Sequence, residues 1–217
     1  MGFKAAIFDF DGTIADSMSM WADFAFRFVT YLGGKPREGV SKTVNSMSVA
    51  EAEVYLRQEY FPHYTEEQMH KATELYVLDR YTKGFEPKEG IVEFVRELSN
   101  RGISMAIATA TDRKPVSIAL SKLGLATYFE HIVTCTDAGV GKSSSPAVFD
   151  LALSKLGAKK EDTIIFEDSF YAAKTAAAAG YSVAGIYDDF SRDRKDDMKA
   201  VCRYYFDDFK EAKKELL

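Results

Sequence analysis

From Pro87 onward, strand-length apolar runs alternate with helical stripes, and this alternation restricts the fold more than any other feature of the chain. Ile91, Phe94, Val95 and Leu98 recur at helical spacing and are closed by Asn100-Arg101-Gly102. Residues 103–109 form an apolar run. Pro115 sits in the first turn of a further stripe, Val116, Ala119, Leu120 and Leu123, which ends at Gly124. Strands are predicted over 131–134 and 163–166, with a helix over 146–156 between them. An Ala-rich helix then ends at Gly180, and strands over 182–186 and 203–206 precede a short charged helix. Strands that are apolar without alternation are buried on both faces. The pattern therefore predicts an α/β fold: a doubly wound parallel sheet covered by helices on both sides.

The first strand of that sheet stands far upstream. Residues 4–10, Lys4-Ala5-Ala6-Ile7-Phe8-Asp9-Phe10, hold a short continuous apolar run, Ala5 to Phe8, that ends in the acid Asp9. The next seventy residues are helical in pattern, from about Ala15 to Phe85. Trp21, Phe24, Phe28 and Leu32 recur at helical spacing until Gly33-Gly34 and Pro36 stop them. Ser48-Val49-Ala50-Glu51 and Thr65-Glu66-Glu67-Gln68 are capping boxes. The helices they open end before Pro62 and before Gly84. Residues 1–14 and 86–217 are thus expected to form the α/β core, and 15–85 an all-helical insert. Asp16, Ser17, Met18 and Trp21, near the hinges, are candidates to face a bound small molecule, but Trp21 and the phenylalanines are expected to pack as the insert's own core. Residues 188–197 are read as a charged loop.

Composition narrows the functional classes. The chain has 217 residues, 47% of them hydrophobic, enough for a packed core. Its 28 Lys+Arg against 33 Asp+Glu leave a net charge of −5, which argues against nucleic acid or an anionic membrane as the main partner. Cys135 and Cys202 are too few for a disulfide scaffold, and Cys135 reads as a small core residue. His63, His70 and His131 are scattered without ligand spacing. The run before Asp9 is too short for a secretory leader, and no apolar stretch is long enough to span a bilayer. A soluble cytoplasmic protein, monomer or homodimer, with a small-molecule partner is expected.

Four features lie at the carboxyl ends of predicted strands, the edge where open α/β sheets bind ligands. Asp9 and Asp11 are two close carboxylates at a dry edge. They repel unless a cation or a shared proton intervenes. With Mg²⁺, Asp9 can stay ionised and attack phosphorus, while Asp11 serves as general acid and base. Gly12 permits a sharp turn and offers an N–H to a phosphate oxygen. Thr109 can donate to a phosphate oxygen, or be an ordinary β-branched strand residue. Lys142, flanked by Gly139 and Gly141, is either a point charge for phosphate and crowded carboxylates or a solvated lysine. Glu167-Asp168-Ser169 is either a helix cap or part of a Mg²⁺ site, with Asp9 and Asp168 as direct ligands and Glu167 acting through a water.

Taken in order, Asp9-Phe10-Asp11-Gly12-Thr13, Thr109, Lys142 and Phe166-Glu167-Asp168-Ser169, followed by 176–180, resemble the four motifs of the haloacid dehalogenase superfamily. The chain is similar to the subfamily with a helical cap inserted after the first strand, the phosphoglycolate-phosphatase and β-phosphoglucomutase type. The resemblance implies Asp9 as nucleophile and Asp11 as general acid/base. It also implies Mg²⁺ held by Asp9, Asp168, Glu167 and the backbone carbonyl of Asp11. Gly12, Thr109, Ala110 and Lys142 would bind the phosphoryl group. One departure is that Pro146 lies four residues after Lys142, where the family often has three. Asp11, which haloacid dehalogenases lack, implies a leaving oxygen that needs a proton. A Mg²⁺-dependent phosphatase is therefore expected. The alternatives are a phosphomutase of the β-phosphoglucomutase type and a non-catalytic ligand-binding member.

Overall fold

A computed structural model describes residues 2–45, 47 and 49–217. The chain divides into two compact units, Ser17–Lys83 and the combined segments Met1–Asp16 and Gly84–Leu217.

Among the described residues the first unit holds helices α1 (Met18–Ala22), α2 (Phe24–Tyr31), α3 (Val40–Val44), α4 (Val49–Tyr60) and α5 (Glu66–Lys83). Its centre is aromatic. Phe24, Phe28 and Tyr76 are buried, with ring centroids 5.4–5.6 Å apart. Trp21 stacks on Phe24 at 5.5 Å, as the helical spacing of the two predicts. The single helix expected through Trp21, Phe24, Phe28 and Leu32 is broken at Asp23, whose backbone leaves helical dihedrals. The Asp23 carboxylate accepts from Arg27 Nε at 3.0 Å, one turn into α2, and from Ser41 Oγ at 3.4 Å. At Thr65 the reciprocal cap forms: Gln68 N–H donates to Thr65 Oγ1 at 3.1 Å and Thr65 N–H to Gln68 Oε1 at 2.9 Å. The capping box expected at Ser48 lies outside the described residues.

The second unit is a six-stranded sheet of β1 (Ala5–Phe8), β2 (Ser104–Thr109), β3 (His131–Thr134), β4 (Thr163–Glu167), β5 (Ser182–Ile186) and β6 (Tyr204–Phe206). The order is β3-β2-β1-β4-β5-β6 and every pairing is parallel. Helices α6 (Ile91–Asn100), α7 (Arg113–Lys122), α8 (Cys135–Ala138), α9 (Ala147–Leu156), α10 (Phe170–Ala178), α11 (Lys195–Val201) and α12 (Phe209–Leu216) connect and cover the strands. Alternate residues of each strand feed two cores. Ile7 and Ile165 join Val148, Phe149, Ala173 and Ala176 from α9 and α10. Phe8 and Phe166, one residue along, stack at 4.6 Å and meet Phe94 and Phe209 from α6 and α12. Burial of each such phenylalanine contributes roughly 1.5–3 kcal/mol.

Two local expectations need correction. The segment read as a charged loop at 188–197 is a 3₁₀ turn, Asp189–Arg194, running into α11. Asp188 caps the turn by accepting from Phe190 N–H at 2.8 Å, and Met198 is buried against the core. One apolar anchor among many charges is easily missed by composition. Cys135, expected in the core, packs against it at the start of α8 but is only half-buried. No helix among the described residues is long and apolar enough to cross a membrane.

Candidate active site

Strand order reverses at β1, which has β2 on one side and β4 on the other, so the carboxyl edge opens between them. Asp9 follows β1 directly, and its N–H donates to the carbonyl of Phe166 at 2.9 Å, extending the ladder by one residue. That register sets Asp9 beside Glu167 and Asp168. Carboxylate oxygens of Asp9, Glu167 and Asp168 lie within 4.8 Å of one another, and all three residues are buried.

Lys142 supplies the cation among them. Its Nζ is 2.6 Å from Asp9 Oδ1 and 3.0 Å from Glu167 Oε2, with 11% of its side chain exposed. The extra residue before Pro146 is absorbed in a turn, where Ser144 and Ser145 N–H groups donate to the Gly141 carbonyl at 3.0 and 3.2 Å. Glu167 meets Lys142 directly, and its Oε1 also accepts from Ser169 N–H at 3.1 Å. Asp168 Oδ1 accepts from Thr13 Oγ1 at 3.2 Å.

The charge balance is uneven. Three carboxylates against one ammonium leave a formal −2 in a dry pocket. Burial raises the Asp9 carboxyl, with Asp11 adding to the rise and Lys142 opposing it. Burial together with Asp9 and Glu167 raises Asp168 well above the ordinary range. Burial and the Asp9 charge push Glu167 up to about 8. Burial alone would lower Lys142, but Asp9 and Glu167 outweigh it and hold the ammonium charged. The donor set fits a hard divalent cation: carboxylate oxygens only, closely grouped, with two negative charges uncompensated.

Asp11 stands apart from this cluster. Its Oδ2 accepts from Thr111 Oγ1 at 2.7 Å. Gly12 makes the turn after it with φ +81°, a conformation that favours glycine. Its N–H, expected at a phosphate oxygen, donates instead to the carbonyl of Ala15 at 2.9 Å, because the turn closes on itself. Thr109 ends β2 fully buried. Its Oγ1 accepts from Thr111 N–H at 3.0 Å, which leaves the hydroxyl able to donate. Ala110 follows it and is exposed. Thr111 joins Thr109 and Asp11 at this edge, a placement that the sequence did not single out. The signal was a second hydroxyl two positions after Thr109, but its partner is 100 residues away.

A family model for haloacid dehalogenase-like hydrolases matches residues 6–186. The chain belongs to that family. Membership makes it a hydrolase, in keeping with the four motifs. Among its relatives, Pyrophosphatase PpaX of Halalkalibacterium halodurans is 28% identical over 85% of this chain and 87% of its own length. The Phosphorylated carbohydrates phosphatase of Thermotoga maritima is 25% identical over 82% of each chain. Among solved structures, CbbY from Rhodobacter sphaeroides in complex with xylulose-(1,5)-bisphosphate shares the fold, with a TM-score of 0.82 over 96% of each chain at 21% identity.

Proposed function

We propose that this haloacid dehalogenase-like hydrolase is a Mg²⁺-dependent phosphatase of small phosphorylated metabolites, working through an aspartyl-phosphate on Asp9. The observation that carries the reading is the buried triad Asp9, Glu167 and Asp168 around Lys142, with Asp11 held separately by Thr111. The names of two relatives, a pyrophosphatase and a phosphorylated carbohydrates phosphatase, point the same way.

Asp9 and Asp168 would hold the cation directly, with the Asp11 carbonyl, and Glu167 through a water. Bound there, Mg²⁺ supplies Lewis-acid charge to the phosphoryl oxygens and offsets the repulsion that otherwise raises these acids. Lys142 and Thr109 hold the phosphoryl oxygens, with the backbone around Ala110 close by. Asp9 attacks phosphorus and the bond to the leaving oxygen breaks. Asp11, in its protonated form, gives that oxygen a proton. Asp11, now a carboxylate, then takes a proton from a water that attacks the phosphorus. The bond to Asp9 breaks, phosphate leaves, and both acids return to their starting states. The hydroxyl of Thr111 keeps the Asp11 carboxylate turned away from the cation, so that it stays available for proton transfer. The insert at 15–85 is read as the cap that selects the leaving group.

The test is phosphate release from a panel of sugar phosphates and pyrophosphate, with Mg²⁺ and after chelation, for the wild type and Asp9→Asn. Release that needs Mg²⁺ and is lost in Asp9→Asn supports the reading. Unchanged release in Asp9→Asn refutes it. Interconversion of sugar-phosphate isomers without net release would make the chain a phosphomutase.

A further inference from the structure

A fourth buried carboxylate stands on the same sheet edge, outside the triad. Asp188 is 4% exposed and follows β5, the strand beside β4. Glu167 pairs with Gly185, so continuing the register brings Asp168 opposite Ile186 and puts Asp188 two residues further along. Strand spacing and rise then separate the backbones of Asp168 and Asp188 by roughly 8 Å. The Asp188 carboxylate accepts from Lys88 Nζ at 2.9 Å and from Phe190 N–H at 2.8 Å. Lys88 Nζ also donates to the Tyr187 carbonyl at 3.0 Å, and its backbone N–H donates to the carbonyl of Ile14 at 2.9 Å. Lys88 is thereby tied at one end to the turn after Asp11 and at the other to the end of β5.

The pair is dry, with side-chain exposures of 16% for Lys88 and 5% for Asp188. Burying such a pair costs about as much as its attraction returns, and an apolar pair of similar volume would fill the space at least as well. Its stability contribution therefore does not explain it. Its field reaches the site by geometry: Asp188 is buried one strand from Asp168, at that backbone separation of roughly 8 Å, where little water screens it. No step of the proposed reaction uses either residue.

We propose that Asp188 and Lys88 form a charge pair that sets how tightly the Asp9, Glu167 and Asp168 cluster binds a divalent cation, with Asp188 strengthening binding and Lys88 restraining it. The inference rests on the proposed Mg²⁺ site. Neither residue touches the cation; both act through the low-dielectric field between β4 and β5. A charge at this range in a partly dry site changes divalent affinity on the order of tenfold.

The experiment is calorimetric titration of the full chain with MgCl₂ alone, without substrate, at fixed pH and ionic strength. The proteins are wild type, Asp188→Asn, Lys88→Met and the double variant. Asp188→Asn is expected to weaken Mg²⁺ binding on the order of tenfold and Lys88→Met to tighten it by a similar factor, with the double variant near wild type. A purely structural pair predicts that both single variants weaken binding. That result, or no change beyond about twofold in either, overturns the inference while leaving the metal site standing. Failure of the wild type to bind Mg²⁺ overturns both. If Lys88→Met does not fold, Asp188→Asn decides the matter with a second cation. A field effect lowers Mg²⁺ and Ca²⁺ binding by the same factor, whereas displaced ligands penalise octahedral Mg²⁺ more than adaptable Ca²⁺ and refute the inference.

Discussion

Replacing Lys142 with Met removes a charge while keeping most of the side chain's volume, and the site's electrostatics set the consequence. The Nζ lies 2.6 Å from Asp9 Oδ1 and 3.0 Å from Glu167 Oε2, with 11% of the side chain exposed. At an effective dielectric near 20, each contact is worth about 5–6 kcal/mol. Relief from burying the ammonium offsets several kcal/mol of this, since its desolvation is itself costly. The net loss for breaking such a pair is about 3–5 kcal/mol. The orphaned carboxylates can limit the damage by taking up protons, which they do more readily at low pH. Lys142→Met should therefore lose about 3–5 kcal/mol at pH 8 in EDTA, a fall of roughly 6–20 °C in Tm for a chain of this size. At pH 6 the loss should be visibly smaller, and at pH 8 millimolar Mg²⁺ should restore part of it. Urea and thermal unfolding followed by far-ultraviolet circular dichroism measure all three. A loss below about 1 kcal/mol at pH 8, or one independent of both pH and Mg²⁺, would refute the charge argument.

The same geometry sets four other outcomes. Asp9→Asn should lower phosphate release by a factor on the order of a thousand or more while leaving the fold intact, checked by activity beside circular dichroism. The raised Glu167 carboxyl, near 8 against an ordinary 4.5, binds its proton more tightly folded than unfolded. The metal-free protein should accordingly lose stability as pH rises from about 5 to 8.5, and Mg²⁺ should stabilise it more at the upper end; a Tm shift by Mg²⁺ that is flat across this range contradicts the reading. Thr111→Val removes the hydroxyl that holds the Asp11 carboxylate and should cut kcat on the order of tenfold without weakening Mg²⁺ binding. Gly90→Ala would set a Cβ 2.7 Å from the backbone N of Lys210 at a φ of +79°, and should cost about 2 kcal/mol or more in urea unfolding.

Local chemistry made much of this protein readable in its sequence. Apolar runs ending in acids name β1 and β4, and helical stripes name the covering layers, because periodicity and burial are written residue by residue. Asp9, Asp168 and Lys142 were each legible as strand-end or loop charges, although each alone had an ordinary reading. Folding brought them together, and only the parallel register of β1 and β4 sets Asp9 beside Glu167 and Asp168. The contacts that escaped the sequence span long separations or depend on how a turn closes: Thr111 on Asp11, Lys88 on Asp188, and the Gly12 N–H turned inward to Ala15. A hydrogen bond between residues 100 positions apart leaves no periodic trace, and the direction of one N–H depends on a local φ that no composition encodes. Sequence alone determined which charges the sheet edge would carry. The tertiary structure decided which of them neutralise one another, because electrostatic pairing depends on distance in space and on the exclusion of water.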